Sequence, residues 1–150
     1  MIELIDPIIS SNKVDISTGL NVHYLEASKN NNNQPIALLL HGFPELSFSW
    51  RKIIPILAYE GFRVIAPDMR GYGLTSGGTK KYDTNISEYR LLNLTTDILS
   101  LISALKINKV DLLVGHDAGS SVAGTSVSYT HLRAHETRED RGCRRLLGKK

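Results

Sequence analysis

The sequence predicts an α/β protein whose sheet is mostly parallel, and three observations lead to that prediction. A continuous apolar run at residues 36–40, and runs at 62–67 and 110–114 that each contain one charged residue, are typical of strands that are covered on both faces. Helical spacing of apolar residues fills much of the chain between these runs. The third run ends in Gly-His-Asp-Ala-Gly at residues 115–119, where the two glycines fit a sharp turn from a strand into a helix.

The N-terminal segment predicts an antiparallel hairpin at the edge of this sheet. Residues 13–16 and 20–27 are short strand candidates on either side of a Ser-Thr-Gly turn. In the second candidate, Val22 and Tyr24 alternate with polar residues, which indicates one buried face and one face in solvent. We therefore expect His23 on the solvent face.

Two stretches predict helices that pack against the sheet. Residues 47–59 repeat apolar side chains at three- and four-residue spacing, and Pro55 allows a kink or a late start. Residues 86–105 carry a longer apolar stripe, and Asn93 is the expected N-cap of its main part. With strands alternating between them, these helices are expected to cover both faces of the sheet.

The loops that follow the first two apolar runs contain residues that suit structural roles. His41 ends the first run, and we expect it to brace its loop by a hydrogen bond rather than to catalyse. Asp68 and Arg70 follow the second run, and we expect them to fix their loop by charge-assisted hydrogen bonds.

Asp117, at the centre of the predicted turn, is the candidate nucleophile. Such a turn strains its central residue and lifts the side chain above the sheet. A carboxylate needs no base to become a nucleophile at pH 7, so it can attack carbon directly and form an ester. The turn also lies at the carboxyl end of a parallel strand, where sheets of this type place their sites.

Three motifs, in this order, resemble the α/β-hydrolase fold: His-Gly-Phe-Pro-Glu at residues 41–45, Asp-Met-Arg-Gly-Tyr-Gly at 68–73 and Gly-His-Asp-Ala-Gly at 115–119. More narrowly, the chain resembles the epoxide hydrolase and haloalkane dehalogenase branch, whose nucleophile is an aspartate. The resemblance runs from about Lys13 to Gly124. It implies the N-terminal part of that fold, with a mostly parallel sheet, an antiparallel N-terminal hairpin, helices on both faces and a nucleophile elbow.

The resemblance also implies a reaction and a set of site residues. Asp117 would attack an electrophilic carbon to give an alkyl-enzyme ester, and the backbone N–H groups of Phe43 and Ala118 would form an oxyanion hole. Trp50 would border the substrate pocket. The implied substrate is a small apolar electrophile such as an epoxide, and no cofactor or metal ion is implied.

Two positions favour an epoxide hydrolase over the dehalogenases of the same branch. Haloalkane dehalogenases tend to have Asn at the position of Phe43 and Trp at the position of Ala118, and fluoroacetate dehalogenases usually have Arg at the latter. Ala118 offers no side-chain N–H to a halide, and it also departs from the Trp common in epoxide hydrolases. A haloalkane or haloacid dehalogenase stays open as an alternative, as does a non-catalytic binding protein of this fold.

The groups that would complete this reaction are not found after Asp117. In the resembling fold a second acid and a His follow the nucleophile, and the only later histidines here are His131 and His135. The helical cap whose tyrosines protonate the epoxide oxygen has no counterpart in the sequence. We therefore expect the 150-residue chain to be inactive by itself.

Charge separates the end of the chain from the rest. The net charge is +3, but residues 127–150 carry seven basic and three acidic side chains, so the remainder of the chain has a net charge of −1. The polar segment from about residue 126 resembles a translated sequencing adapter. We expect residues 1–125 to be the N-terminal part of a hydrolase core domain. We expect residues 126–150 to be a disordered, non-native tail rather than a nucleic-acid-binding arm.

The single cysteine, Cys143, excludes an internal disulfide and fits a reducing, cytoplasmic compartment. The first residues are acidic and lack the basic start of a signal peptide. No apolar run approaches the ~18 residues of a membrane span. The spacing of Cys143 from His131 and His135 is weak evidence for a metal site, and we expect none.

Overall fold

A computed structural model gives the fold and describes residues 5–29, 33–77, 86–130 and 135–139; of residues 129, 130 and 135–139 it describes the backbone only. The strands are β1 (Ile9–Asp15), β2 (Asn21–Ala27), β3 (Ile36–Leu40), β4 (Arg63–Pro67), β5 (Leu112–His116) and β6 (His135–Glu139). The α-helices are α1 (Ile53–Tyr59), α2 (Leu91–Ala104) and α3 (Ala118–Thr130). Short 3₁₀ helices at Ser47–Trp50 and Ile86–Tyr89 precede the first two of them.

The six described strands form one mixed sheet in the order β1-β2-β4-β3-β5-β6. The β1-β2 and β2-β4 pairs are antiparallel, whereas β3 pairs in parallel with both β4 and β5. The predicted mostly parallel sheet with an antiparallel N-terminal hairpin is confirmed. Leu40 at the end of β3 lies opposite Gly115 of β5, so the loop after β3 starts beside the Gly-His-Asp-Ala-Gly turn.

Helices cover both faces of the sheet, as predicted. Strand β3 shows why, because Leu38, Leu39 and Leu40 alternate between two faces and all three are buried. On one face, α1 contributes Ile54 and Ala58 to a core that contains Leu39. On the other face, α2 and α3 pack over Leu38 and Leu40. Their buried contributions to that core are Ile98, Ile102, Val122 and Ala123.

The prediction that His23 faces solvent is wrong, because the side chain is only 6% exposed. Residues 22–25 of β2 are all buried, and β2 is the inner strand of the edge hairpin, between β1 and β4. The loop after β4 folds back over it, and Thr75 Oγ1 accepts the His23 N–H at 2.9 Å. Tyr24 and Leu25 pack into the cores on opposite sides of the sheet, so both faces of the strand are covered. Strand β1 also begins at Ile9, four residues before the predicted start.

The two predicted helices are present with different starts. The first stretch is divided into a 3₁₀ turn and α1, and Pro55 lies in the first turn of α1, where its missing N–H removes no helical bond. Asn93 was expected to cap the second helix, and that expectation is wrong. The N-cap is Arg90, and the Asn93 side chain donates to the Ser87 carbonyl 3.0 Å away.

Asp68 and Arg70 fix the loop after β4 by charge-assisted hydrogen bonds, as predicted. Asp68 is 3% exposed and accepts the Ser47 N–H at 2.8 Å and the Leu74 N–H at 3.1 Å. Arg70 donates to both carboxylate oxygens of Asp97 in α2, at 2.7 and 2.8 Å. The loop is thereby tied both to the segment after β3 and to α2.

Regular structure continues past residue 125, where the sequence predicts the start of a disordered tail. The helix α3 runs to Thr130, and β6 pairs in parallel with β5. In the helix, the hydroxyl groups of Thr125, Ser126 and Ser128 each donate to the carbonyl oxygen four residues earlier. These polar side chains are thus satisfied within the helix. Residues 140–150 lie outside the described part of the chain.

None of the described helices is long and apolar enough to cross a membrane.

Candidate active site

Asp117 occupies the sharp turn between β5 and α3 in a backbone conformation that few residues other than glycine adopt. Its φ is +49°, in the left-handed region, and its carboxylate is exposed above the end of the sheet. The first helical residue, Ala118, follows immediately, so the helix N-terminus with its free N–H groups points towards the carboxylate. The elbow inferred from the sequence is therefore present.

The glycines around Asp117 are required by close backbone contacts. A Cβ added at Gly119 would lie 2.3 Å from the Leu40 carbonyl oxygen, and one at Gly115 would lie 2.6 Å from the Gly119 carbonyl oxygen. Without these two glycines α3 could not approach β3 and β5 closely enough to close the turn. The Gly-x-Asp-x-Gly pattern is thus explained by packing as well as by backbone freedom.

The loop after β3 brings a backbone donor to the nucleophile candidate. The Phe43 N–H donates to Asp117 Oδ2 at 3.0 Å. The approach depends on Gly42, because a Cβ there would lie 2.6 Å from Asp117 Cβ and 2.8 Å from the His116 carbonyl oxygen. The Phe43–Pro44 peptide bond is cis, and the Glu45 N–H closes the turn on the Gly42 carbonyl oxygen at 2.9 Å.

Hydrogen bonds from the backbone hold the carboxyl group of Asp117 in its charged form. The Phe43 N–H and, to a smaller extent, the Ala118 N–H lower its pKa below the ordinary value, while partial desolvation opposes them. Both donors predicted for the oxyanion hole therefore act on the same carboxyl group. At neutral pH this side chain is an exposed, ionised carboxylate beside two aligned N–H donors.

His41 connects the Phe43 loop with the loop that follows β4. Its ring is fully buried, its Nε2 accepts the Met69 N–H at 2.9 Å, and its Nδ1–H donates to the Gly42 carbonyl oxygen at 2.9 Å. Burial is the main cause that lowers its pKa, so the ring is held neutral in this tautomer. Tyr72 packs edge-on against it, with ring centroids 5.0 Å apart. The predicted bracing role of His41 is confirmed.

Comparison with known proteins identifies the family. A family model described as the alpha/beta hydrolase fold matches residues 35–129, which include both the Phe43 loop and the elbow. The chain belongs to the α/β-hydrolase fold family.

Within this family, the chain is similar to several proteins named epoxide hydrolases. The epoxide hydrolase of Caballeronia sordidicola is 41% identical over 110 residues, which cover 73% of this chain and 30% of the relative. Epoxide hydrolase 3 of Siraitia grosvenorii is 44% identical over 89 residues, which cover 59% of this chain and 26% of the relative.

Solved α/β-hydrolase structures agree with these relatives. The crystal structure of an epoxide hydrolase from Vigna radiata matches with a TM-score of 0.72 at 35% identity, covering 85% of this chain and 38% of that one. A laboratory-evolved variant of potato epoxide hydrolase matches with a TM-score of 0.73 at 35% identity, covering 84% of this chain and 37% of that one. The chain thus spans roughly a third of the length of these relatives.

The three histidines whose side chains the structure describes each bond to groups other than Asp117. His116 precedes the nucleophile candidate, but its Nδ1 lies 3.0 Å from Glu45 Oε2, as expected for a side chain that the elbow directs elsewhere. His41 holds backbone groups, and His23 lies 2.7 Å from Asp68 Oδ2. The side chains of His131 and His135 lie outside the described part.

Trp50, expected to border the substrate pocket, packs against the core on the α1 side of the sheet. Its Nε1 is buried and has no hydrogen-bond partner among the described residues. Its packing partners belong to that core rather than to the elbow. A substrate-binding role for Trp50 therefore stays a prediction.

Proposed function

We propose that this chain is the N-terminal part of an epoxide hydrolase and that Asp117 is the nucleophile. One observation supports this proposal above all. The carboxylate at the elbow is exposed, and one of its oxygens accepts a hydrogen bond from the Phe43 N–H at 3.0 Å. The similarity to proteins named epoxide hydrolases, on both sequence and structure, supports the same reaction class.

The first step assigns different roles to the two carboxylate oxygens of Asp117. Oδ2 is held by the Phe43 N–H, so Oδ1 is the oxygen that is free to attack. Attack of Oδ1 on an epoxide carbon forms a C–O ester bond and breaks the C–O bond of the ring. The ring oxygen leaves as an alkoxide and takes a proton from a donor or from water. The product is an ester of Asp117 with a β-hydroxyalkyl group.

The second step uses the Phe43 hydrogen bond that already holds Oδ2. In the ester, Oδ2 becomes the carbonyl oxygen, and attack of water on Cγ would place negative charge on it. The N–H groups of Phe43 and Ala118 stabilise that charge without reorganisation. Activation of the water requires a general base, and the three described histidines bond elsewhere. The first step is therefore open to this chain, and the second is expected to be very slow.

The substrate class follows from what surrounds the carboxylate. Phe43 is 68% exposed beside Asp117 and offers an aromatic side chain rather than an amide. Ala118 offers a methyl group, so neither residue provides a side-chain donor for a departing halide. These features support a small apolar epoxide over a haloalkane or a haloacid.

Stoichiometric trapping of an epoxide tests this proposal. On incubation with an aryl epoxide such as styrene oxide, we expect the chain to gain about one equivalent of covalent adduct per molecule, because the ester forms and is not hydrolysed. Intact-mass spectrometry measures the adduct, and chromatography measures the diol. The diol is expected to stay at the level of a protein-free control.

Two variants make the result specific. Asp117→Asn removes the nucleophile but keeps the size of the side chain, and it should form no adduct. Asp111→Asn is the matched control, because Asp111 lies just before the same strand and also accepts a backbone N–H, from Ile36 at 3.0 Å. It should react like the unmodified chain. Equal labelling of both variants would refute the assignment, and sustained diol production would refute the predicted inactivity.

We also propose that residues 1–125 belong to the hydrolase core and that the natural sequence differs from about residue 126. The charge of +4 in residues 127–150 and their likeness to a translated adapter support this division. Residues 1–125 contain no cysteine, which supports a reducing, cytoplasmic location. Sequencing the source gene across residue 125 tests the division. We expect the gene to continue with a different sequence that encodes a cap, an acid and a His. Finding that the gene encodes residues 127–150 would contradict the division.

A further inference from the structure

Three side chains far from one another in sequence form a chain of hydrogen bonds away from the elbow. Ser11 Oγ, on the edge strand β1, lies 2.8 Å from Nε2 of His23 on β2. His23 Nδ1 lies 2.7 Å from Asp68 Oδ2, in the loop after β4. The imidazole and the carboxylate are 6% and 3% exposed, whereas Ser11 is exposed. A hydroxyl, an imidazole and a buried carboxylate are thus connected in the order that serine nucleophiles require.

The protonation state of this cluster follows from the environment of Asp68. Burial favours the neutral acid, but hydrogen bonds from Ser47, Leu74 and His23 together hold the pKa of Asp68 below its ordinary value. The carboxylate therefore accepts, and His23 must donate to it through Nδ1–H. With Nδ1–H directed at Asp68, Nε2 is the ring nitrogen that faces the Ser11 hydroxyl, 2.8 Å away. His23 is oriented to take the Ser11 proton.

A groove opens beside the cluster and is mostly apolar. It has a volume of about 450 Å³ and is lined by Ser11, His23 and Asp68 together with the side chains of Ile5, Leu46 and Leu74. These three apolar residues are 40%, 40% and 61% exposed. The groove can accommodate a hydrocarbon chain next to the Ser11 hydroxyl, with the polar cluster at one side.

We propose that Ser11 is a second nucleophile of this protein, which is acylated by carboxylic esters with an apolar acyl chain. This site is separate from the elbow and does not depend on the function proposed for Asp117. The neighbouring Ser10 provides a contrast within the same strand. Its Oγ donates to the Glu26 carbonyl oxygen at 3.1 Å and has no imidazole partner.

The acylation step balances without a further reactant. Ser11 Oγ forms a bond to the carbonyl carbon of the ester while its proton passes to His23 Nε2. The bond from that carbon to the leaving oxygen then breaks, and the same proton passes from Nε2 to the leaving oxygen. The products are an acyl ester of Ser11 and a free alcohol or phenol.

A chromogenic ester with an apolar chain tests the proposal. We expect the 150-residue chain to release a burst of about one equivalent of p-nitrophenolate from p-nitrophenyl hexanoate, and peptide mapping should place the hexanoyl group on Ser11. Ser11→Ala should abolish the burst and the label. Ser10→Ala is the matched control, since it changes another exposed hydroxyl, on the adjacent residue, and it should keep both.

A second substitution separates activation by His23 from mere exposure of Ser11. His23→Gln should slow acylation of Ser11 by at least about 100-fold, the usual contribution of a positioned general base. Circular dichroism and thermal unfolding check that this variant is folded. A burst of equal size and rate in Ser11→Ala would overturn the proposal. Finding the hexanoyl group only on lysines of the unmodified chain would also overturn it. This result does not depend on whether any variant folds.

Discussion

Replacing Gly119 with alanine is expected to lower the free energy of unfolding by about 3 kcal/mol or more. The added Cβ would lie 2.3 Å from the Leu40 carbonyl oxygen and 2.6 Å from the His41 carbonyl oxygen. Both neighbours are backbone atoms, so no side-chain rotation can relieve the overlap, and α3 must move away from β3. Urea unfolding followed by circular dichroism measures the loss.

A second glycine separates this steric effect from the general cost of an added side chain. Gly19, in the turn between β1 and β2, has a φ of +86°, and a Cβ added there would meet no atom within 4 Å. Gly19→Ala should therefore cost only the strain of a left-handed backbone, about 1–2 kcal/mol. If Gly119→Ala is no more destabilising than Gly19→Ala, the packing explanation of the elbow is wrong.

Replacing Asp68 with alanine is expected to destabilise the fold by about 3–5 kcal/mol, as for a buried charge network that loses one partner. The carboxylate accepts hydrogen bonds from the Ser47 N–H, the Leu74 N–H and His23 Nδ1. Its removal leaves these donors unpaired and releases the loop after β4 from the segment after β3. Thermal and urea unfolding at neutral pH measure the change. Asp15→Ala is the control, because Asp15 is exposed, and it should stay within about 0.5 kcal/mol.

The same carboxylate predicts how stability depends on pH. Its pKa is lower in the folded protein than the ordinary value of about 3.9, so the ionised form favours folding. This contribution is fully present above the ordinary pKa and is lost as the pH falls through the lowered pKa of the folded state. Between about pH 5 and pH 2, the Asp68→Ala variant should lose less stability than the unmodified chain does. If the variant and the unmodified chain lose the same stability over this pH range, Asp68 is not the group responsible.

The elbow and its donors could be predicted because their requirements are local. Gly115, Asp117 and Gly119 lie within five residues, and the backbone contacts that require the two glycines come from the strand–turn–helix geometry itself. The Phe43 loop was placed correctly because it begins at the carboxyl end of β3, the strand adjacent to β5. Neighbouring strands in a parallel sheet bring their carboxyl ends to one edge, so two short motifs were sufficient.

The environment of His23 could not be predicted, since it depends on residues from distant segments. Alternation along β2 indicates which side chains share a face, but not that the loop after β4, 45 residues away, covers the polar face. The cluster of Ser11, His23 and Asp68 could not be predicted for the same reason. Its three members come from two strands and a loop, and no sequence motif joins them.

The continuation of α3 past residue 125 has only a weak signal in the sequence. The sequence from Thr125 to Ser128 has no apolar stripe, and periodicity is the main signal for a helix. The hydroxyl groups of Thr125, Ser126 and Ser128 bond to the preceding turn of the same helix, and Val127 packs against the core. Such bonds depend on side-chain rotamers that the sequence pattern does not reveal.

The central claim is that Asp117 forms a covalent ester, and mapping the position of the epoxide adduct tests it most directly. The chain is treated with an aryl epoxide, digested and analysed by tandem mass spectrometry. We predict one modified peptide, the peptide that contains Asp117, with the added group on its carboxyl side chain. Labels distributed over several exposed acids such as Asp15, or an unmodified Asp117 peptide beside other modified residues, would contradict the claim that the elbow produces a nucleophile.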